Sequence, residues 1–455
     1  SNVWFQSGLR PGDTVIVRTA SNYTSMALLA GSSGAVGNPV TIKPYNGERI
    51  TLAGGVQFAI RLIGPVSYVT IQGVDISGYE YSYASDGTNP NLPNRGLVLS
   101  DCNISNSGLG PVWKYVEDSE IRDCKIHDLR VNGVLFRYSN NITVDNVDVT
   151  RVSDNRSPDN SDADGFHTYG GENIVIKNSS SSYNAEDGFD LNADTTLINV
   201  KAYDNKGAGL KVWRRMEDGW TDRTVTVINS LFYNNGYYAP DTNQGNPGIK
   251  VSEGAGLTLY NSVVYGNYDE GVKIVWVNTQ GSYLTGLRYL PIVIKNSIIA
   301  GTINGPGLKD YYNCTQDTAN LQENPHCASV AHLTSGSNNL FFNNFGGNTT
   351  AFSLTGAVTA LPLANSITND PAFVSAASGD FHLGATSAAK NTGADLSALG
   401  IPSLLTDLDG VTRPQDGAWD IGAYEYNPGG QPLPPPPPPA DLIPPVITAV
   451  TATGI

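Results

Sequence analysis

The sequence runs to 455 residues with a formal net charge of −15, and only 15% of its residues are charged. A negative balance of that size argues against a nucleic-acid partner, because a phosphate backbone repels it. No apolar run reaches the roughly 20 residues that a membrane-spanning helix needs.

The sequence lacks long Ala-, Glu-, Lys- and Leu-rich helical stretches. Asn, Ser, Thr, Val, Ile, Tyr and 49 glycines fill it instead, the composition of strands and tight turns. The expected class is all-β. No export leader is visible in the sequence, which starts at Ser1-Asn2-Val3, and the expectation is that one was removed ahead of Ser1.

In chain order, residues 9–54 (LRPGDTVIVR through NPVTIKPYNGERITLAGG) look like the first strands and cap of a solenoid. A cap is expected because a bare terminal coil offers its edge for aggregation. From about residue 95 to 345 a short pattern recurs: an apolar strand ends in Asn, turn residues follow, and Gly–apolar–X opens the next strand. The Asn positions are 146, 178, 199, 229, 261 and 296, and the closest pair, Asn178 and Asn199, lies 21 residues apart. Three short strands need about this length, which predicts a right-handed parallel β-helix of roughly ten coils. Stacked coils place equivalent residues about 4.8 Å apart, so the Asn residues are expected to face inward as a ladder of bonded amides. Cys102 and Cys124, in DCNI and DCKI, are expected in the same column, as small buried residues close enough to bridge. Cys314 and Cys327 bracket a polar loop and are expected to form a local disulfide, consistent with export. A catalytic cysteine is not indicated, because no His partner lies nearby in sequence.

The Gly–apolar–X steps form a second column. It reads Gly165-Phe166-His167, Gly188-Phe189-Asp190, Gly209-Leu210-Lys211, Gly248-Ile249-Lys250, Gly271-Val272-Lys273 and Gly307-Leu308-Lys309, with Val98 and Leu135 expected at the same position upstream. If the apolar residue faces inward, X faces outward, because strand side chains alternate. One outer face then carries acids that give way to a line of lysines. Like charges on adjacent strands cost stability, and a merely solvated face would mix signs, so a functional groove is the preferred reading. At the acidic end stand Asp162 and Asp164, then Glu186, Asp187 and Asp190. Asp164 and Asp187 precede Gly in adjacent coils and should stack, raising one another's pKa. A hard cation with oxygen ligands relieves that repulsion, and Ca²⁺ suits such a cluster. A single Asp-Gly would be an ordinary turn; the registered set is the signal.

The run Asp164-Gly165-Phe166, Glu186-Asp187-Gly188-Phe189-Asp190 and Gly209-Leu210-Lys211 resembles polysaccharide lyase family 9, whose members are mainly pectate lyases. The close match spans about fifty residues, a little over two coils of such a repeat. The resemblance implies Ca²⁺ ligands at Asp164, Glu186, Asp187 and Asp190, and Lys211 as the base. Two departures stand out. Glu186 occupies a family Asp position, and Lys211 follows Asp190 by 21 residues, a bare coil where the family inserts a longer loop. The short spacing leaves Lys250 as a rival base.

β-Elimination starts by removing the C5 proton beside a uronate carboxylate, which requires a neutral lysine. Lys250, Arg214, Arg215 and the cation are expected to lower the Lys211 pKa. Arg214, Arg215, Lys250, Lys273, His167 and Trp213 are the expected substrate contacts, with Trp213 and Trp276 as candidate sugar-stacking rings or as ordinary packing. The substrate class is an acidic, uronate-containing polysaccharide, pectate or polygalacturonate foremost. The alternatives are an alginate lyase or C5-epimerase, a glycoside hydrolase with two carboxylates, and a non-catalytic carbohydrate-binding adhesin.

Residues 1–426 are expected to form the β-helix domain, with 1–55 its cap and first strands. Residues 427–441 read as a stiff Pro-rich linker, and 442–455 as the start of a fibronectin-type module. The expected context is a monomeric, secreted or cell-surface modular protein, with no membrane span of its own.

Overall fold

The structure is a computed structural model and describes residues 2–5, 8–18, 23–55, 57–153, 163–215, 221–237, 246–276, 290–312, 333–352 and 361–429. Asp162, Cys314, Cys327, the proline run and residues 442–455 lie outside these, as does the Trp276 side chain. No helix among the described residues is long and apolar enough to cross a membrane.

Two long parallel sheets, of 13 and 21 strands among the described residues, carry the architecture. Each strand pairs with its counterpart one coil on, as Phe166–Tyr169 pairs with Phe189–Asn192, then Leu210–Val212, then Ile249–Ser252. One residue of each alternating pair points into the coil. Inside the 13-stranded sheet this makes an aromatic stack, with Phe166 and Phe189 centroids 4.9 Å apart at 9°. Both rings are buried, and each contributes about 2 kcal/mol by leaving water. The outcome is a parallel β-helix whose core is one continuous apolar column.

The predicted Asn column exists but does not face inward. Its members sit at sheet corners in the left-handed region, from Asn261 at φ 45° to Asn146 at φ 56°, and Asp101 and Asp123 continue it upstream. Asn and Asp adopt that conformation at least cost. Asn146 and Asn178 are exposed. Asn229 and Asn296 are buried because the C-terminal segment clips onto them: Asn229 donates to the Ser403 and Thr406 carbonyls, and Asn296 to that of Ala394. Cys102 and Cys124 follow the corner by one residue, in a column that continues as Val147, Ser179, Val200 and Ser230. They form a disulfide.

The buried amide ladder is a different column. Asn184 donates to Asn205 at 2.9 Å, Asn205 to Asn235 at 2.9 Å and Asn235 to Asn267 at 3.0 Å, all fully buried. This ladder explains the recurring glycine. A Cβ at Gly188 would lie 2.7 Å from the Gly209 carbonyl and 2.9 Å from the Asn205 amide, so nothing larger fits between neighbouring coils.

The C-terminal segment lies over the outer face of the larger sheet, burying Phe381, Ile421 and Tyr424 against Leu231, Val263 and Ile298. A fully buried Arg413–Glu425 ion pair at 2.5 Å ties it together. The outer face of the 13-stranded sheet remains to carry the charged column.

Candidate functional site

The X column forms in register. Strand pairing sets Leu135 beside His167, then Asp190, Lys211, Lys250, Lys273 and Lys309. Val98 is not part of it. It pairs with Thr70 and Glu120 in the other sheet, and the residue above Leu135 is Val112. Gly96-Leu97-Val98 imitates the motif, but Gly96 is a turn residue at φ 62° whose close neighbour is the Tyr68 ring rather than the backbone of the next coil.

Asp164 and Asp187 stack as expected, held by backbone donors. The Asp187 amide donates to Asp164 Oδ1 at 3.0 Å, and the Ala208 amide to Asp187 Oδ1 at 2.6 Å. Carboxylate oxygens of Asp164, Glu186 and Asp187 lie within 4.8 Å of one another, and a second group joins Asp164, His167 and Asp190. The other three acids therefore surround Asp164. Burial, then Asp190 and Asp187, push the Asp164 carboxyl well above its ordinary range. Burial, then Asp164 and Asp187, push Glu186 up to about 9. Glu186 Oε2 is buried and has no hydrogen-bond partner.

These features fit a hard cation, because such an ion neutralises buried carboxylates that repel one another and gives the unpartnered Glu186 Oε2 a counter-charge. The His-containing group suits softer metals, but His167 Nδ1 is already bonded to Asp164 Oδ2 at 2.7 Å. The oxygen-only trio is the better fit.

Asp190 differs from its neighbours. Burial opposes its charge, but Lys211, His167 and the Trp213 indole hold its carboxyl below the ordinary range. Lys211 Nζ lies 2.8 Å from Asp190 and 3.7 Å from Asp187. Burial disfavours the Lys211 ammonium, yet Asp190, Asp187 and Asp164 outweigh it and raise the pKa well above the ordinary value. The expectation that neighbouring cations depress Lys211 is corrected, since its nearest charges are carboxylates. Lys250 behaves oppositely: burial, then the Lys211 charge, lowers it. Downstream, Lys273 and Lys309 share buried Glu270, at 3.3 and 2.7 Å. The lysine row is thus partly neutralised, and the repulsion expected along it centres on Lys250.

The predicted contact residues divide. Trp213 lies against the site, its indole nitrogen bonded to Asp190 and its ring beneath Lys211 at 5.3 Å. Arg215 packs on the Tyr169 ring at 4.5 Å. Arg214 is only 3% exposed and pairs with Asp222 at 3.0 Å, so it points away from the groove. His167 is 3% exposed and belongs to the acid cluster rather than to an open binding surface.

Glu270 and Tyr169 went unmarked in the sequence. Glu270 precedes Gly271 as Asp187 precedes Gly188, with Lys273 three residues on, and that repeat of the motif could have revealed it. Tyr169 has no motif; only the fold brings it beneath Arg137 and Arg215.

Among protein families, the model described as "right handed beta helix region" matches residues 59–218. The chain is a right-handed parallel β-helix. Among solved structures it is similar to the A-module of the mannuronan C-5 epimerase AlgE6 of Azotobacter vinelandii, at 15% identity over 82% of this chain and 91% of that one, with a TM-score of 0.40. It is also similar to the pectate lyase Pel9A, at 16% identity, 92% and 89% coverage and a TM-score of 0.38. A PL6-family polysaccharide lyase of Pseudopedobacter saltans follows at 13% identity, 92% and 96% coverage and a TM-score of 0.41. No curated protein sequence matches.

Proposed function

We propose that this β-helix is a secreted, calcium-dependent lyase of uronate-containing polysaccharides, allied to polysaccharide lyase family 9. The observation that carries the reading is one outward column. It sets Asp190 beside Lys211 and then Lys250, while the Asp164, Glu186 and Asp187 carboxylates cluster at the preceding turns, Asp187 lying 3.7 Å from the Lys211 amine. A hydrolase needs the two carboxylates alone; elimination needs a base for the C5 proton, and the amine beside the carboxylates offers one.

Lys211 takes the C5 proton in this reading, with Lys250 as the alternative base. The C5–H electron pair forms the C4–C5 double bond as the C4–O4 bond breaks, and the departing oxygen takes up a proton. No water is consumed. Calcium held by Asp164, Glu186 and Asp187, with Asp190 beside them as the fourth candidate ligand, would neutralise the uronate carboxylate, stabilise the enolate-like intermediate and offset the carboxylate field at Lys211. Trp213 keeps Asp190 in place and presents its ring to the groove. Arg215 supplies a cation for a neighbouring uronate.

Mass spectrometry of the products tests this reading. Elimination yields two fragments whose masses sum to that of the parent, one of them unsaturated. Fragments heavier by one water would identify a hydrolase. Solvent deuterium entering C5 without chain cleavage would identify an epimerase.

A further inference from the structure

The lysine row covers only the coils downstream of the carboxylates. Upstream, the X column turns apolar. Val112 and Leu135 pack with Leu109 and Val131 in a small buried cluster against Tyr81 and Tyr169, which closes that line to a polar ligand.

The next outward column, two residues along each strand, carries polar and charged side chains instead. Strand pairing places Lys114 beside Arg137, and Arg137 beside Tyr169. Arg137 is exposed and Lys114 is half-buried. Among the described residues neither forms an ion pair, although Asp86 stands next to Lys114 in register. Each cation lies instead against an aromatic ring, Arg137 over Tyr169 at 5.4 Å and Lys114 over Tyr115 at 5.1 Å. The rings of Tyr115 and Tyr138 stack beside them at 5.6 Å. Arg215 reaches back from the Lys211 coil to the same Tyr169 and joins this column to the lysine row.

Adjacent cations on neighbouring strands repel, and Asp86, one strand step beyond Lys114, forms no ion pair with either among the described residues. Cations beside partly exposed tyrosine rings are the chemistry that binds an acidic sugar chain, the charge meeting carboxylates and the ring meeting the sugar's C–H face. From the Lys114 strand to the Lys309 strand the pairings make seven steps. That is about 34 Å at the ~4.8 Å strand spacing, enough for several sugar residues.

We propose that Lys114, Arg137 and Tyr169 form a second binding limb upstream of the carboxylates. The acidic polysaccharide then runs along the helix axis, past both sides of the cluster, and is cleaved within the chain rather than at its end. This rests on the lyase reading of the same site. It adds two cations and a direction that the lysine row does not supply.

The test is a binding titration of the full chain with saturated oligogalacturonates and oligomannuronates, from dimer to octamer. The parent, a Lys114→Gln/Arg137→Gln double variant and a Lys125→Gln/Lys201→Gln control are compared. Lys125 and Lys201 are exposed on the other sheet, so the control removes equal charge from another face. The expected result is parent affinity that climbs through the longest oligomers, and a loss of about tenfold confined to the long ones in the upstream variant. The control should match the parent, and early digestion products should be internal fragments.

Equal octamer affinity in parent and upstream variant would overturn the second limb while leaving the lyase reading intact. Equal losses in the two double variants would do the same, by reducing the effect to bulk charge. A parent that binds neither series at any length would remove the lyase reading, and the limb with it.

Discussion

Lys211 Nζ stands 2.8 Å from the Asp190 oxygen that faces it across one strand step, while Trp213 bonds the other oxygen of the same carboxylate. The interlock fixes where the amine is, next to the acids and one step from Lys250. Lys211→Ala should lower kcat by about 10²- to 10⁴-fold, the usual worth of a positioned base. Lys250→Ala should cost less. Steady-state kinetics on both variants checks this, and the reverse order would move the base to Lys250.

Asp187 has two jobs that one substitution separates. Its Oδ1 accepts the Ala208 amide, which an Asn side chain can still do, whereas the negative charge serves the cation. Asp187→Asn should leave thermal stability within about 1 kcal/mol of the parent. Calcium affinity measured by calorimetry should fall at least about tenfold. Unchanged calcium binding would exclude Asp187 as a ligand.

The acid cluster also makes a pH prediction. Glu186 is raised from 4.5 to about 9 in the fold, so the folded state holds its proton where the unfolded chain has released it. Its contribution to stability is fully present below the unfolded value and disappears as pH rises through about 9. Without calcium, melting temperature should fall across that window. Glu186→Gln should flatten the fall, and calcium should stabilise the parent most at the alkaline end. A parent and variant with parallel pH profiles would contradict the buried, repelling cluster.

The interior ladder should dominate stability. Asn205 accepts from Asn184 and donates to Asn235 and to the Ser181 carbonyl. Asn205→Ala strands buried polar groups on both sides and should cost about 3 kcal/mol. Asn178→Ala, at an exposed corner, loses the left-handed preference and solvent-exposed bonds to Asp145 and Asn199, together about 1 kcal/mol. Denaturant unfolding of the two variants measures the contrast.

That contrast also shows where sequence reasoning reached its limit. The Gly–apolar–X triplets were legible because the glycine, the inward apolar residue and the outward charge lie within one strand, where alternation holds. Side chains beyond a corner were not. A single left-handed residue, such as Asn199 before Val200 or Asp204 before Asn205, resets which neighbour points inward. The repeated corner Asn was therefore read as the buried ladder, while Asn184, Asn205, Asn235 and Asn267 passed as turn residues. Arg214 was misplaced for a different reason: alternation runs on past Leu210–Val212, so Trp213 and Arg215 share the outward parity of Lys211 while Arg214 shares the buried parity of Val212, which its charge concealed. The neutralising partners were harder still. Glu270 meets Lys309 only because two coils stack, a contact spanning 39 residues.

The most direct test of the central claim is the ultraviolet absorbance of unsaturated uronate released from polygalacturonate and alginate, with calcium and with chelator. The account predicts product from at least one polymer in calcium, none with chelator, and none from Lys211→Ala/Lys250→Ala in either condition. Cleavage that persists undiminished in chelator, or in the doubly substituted protein, would contradict it.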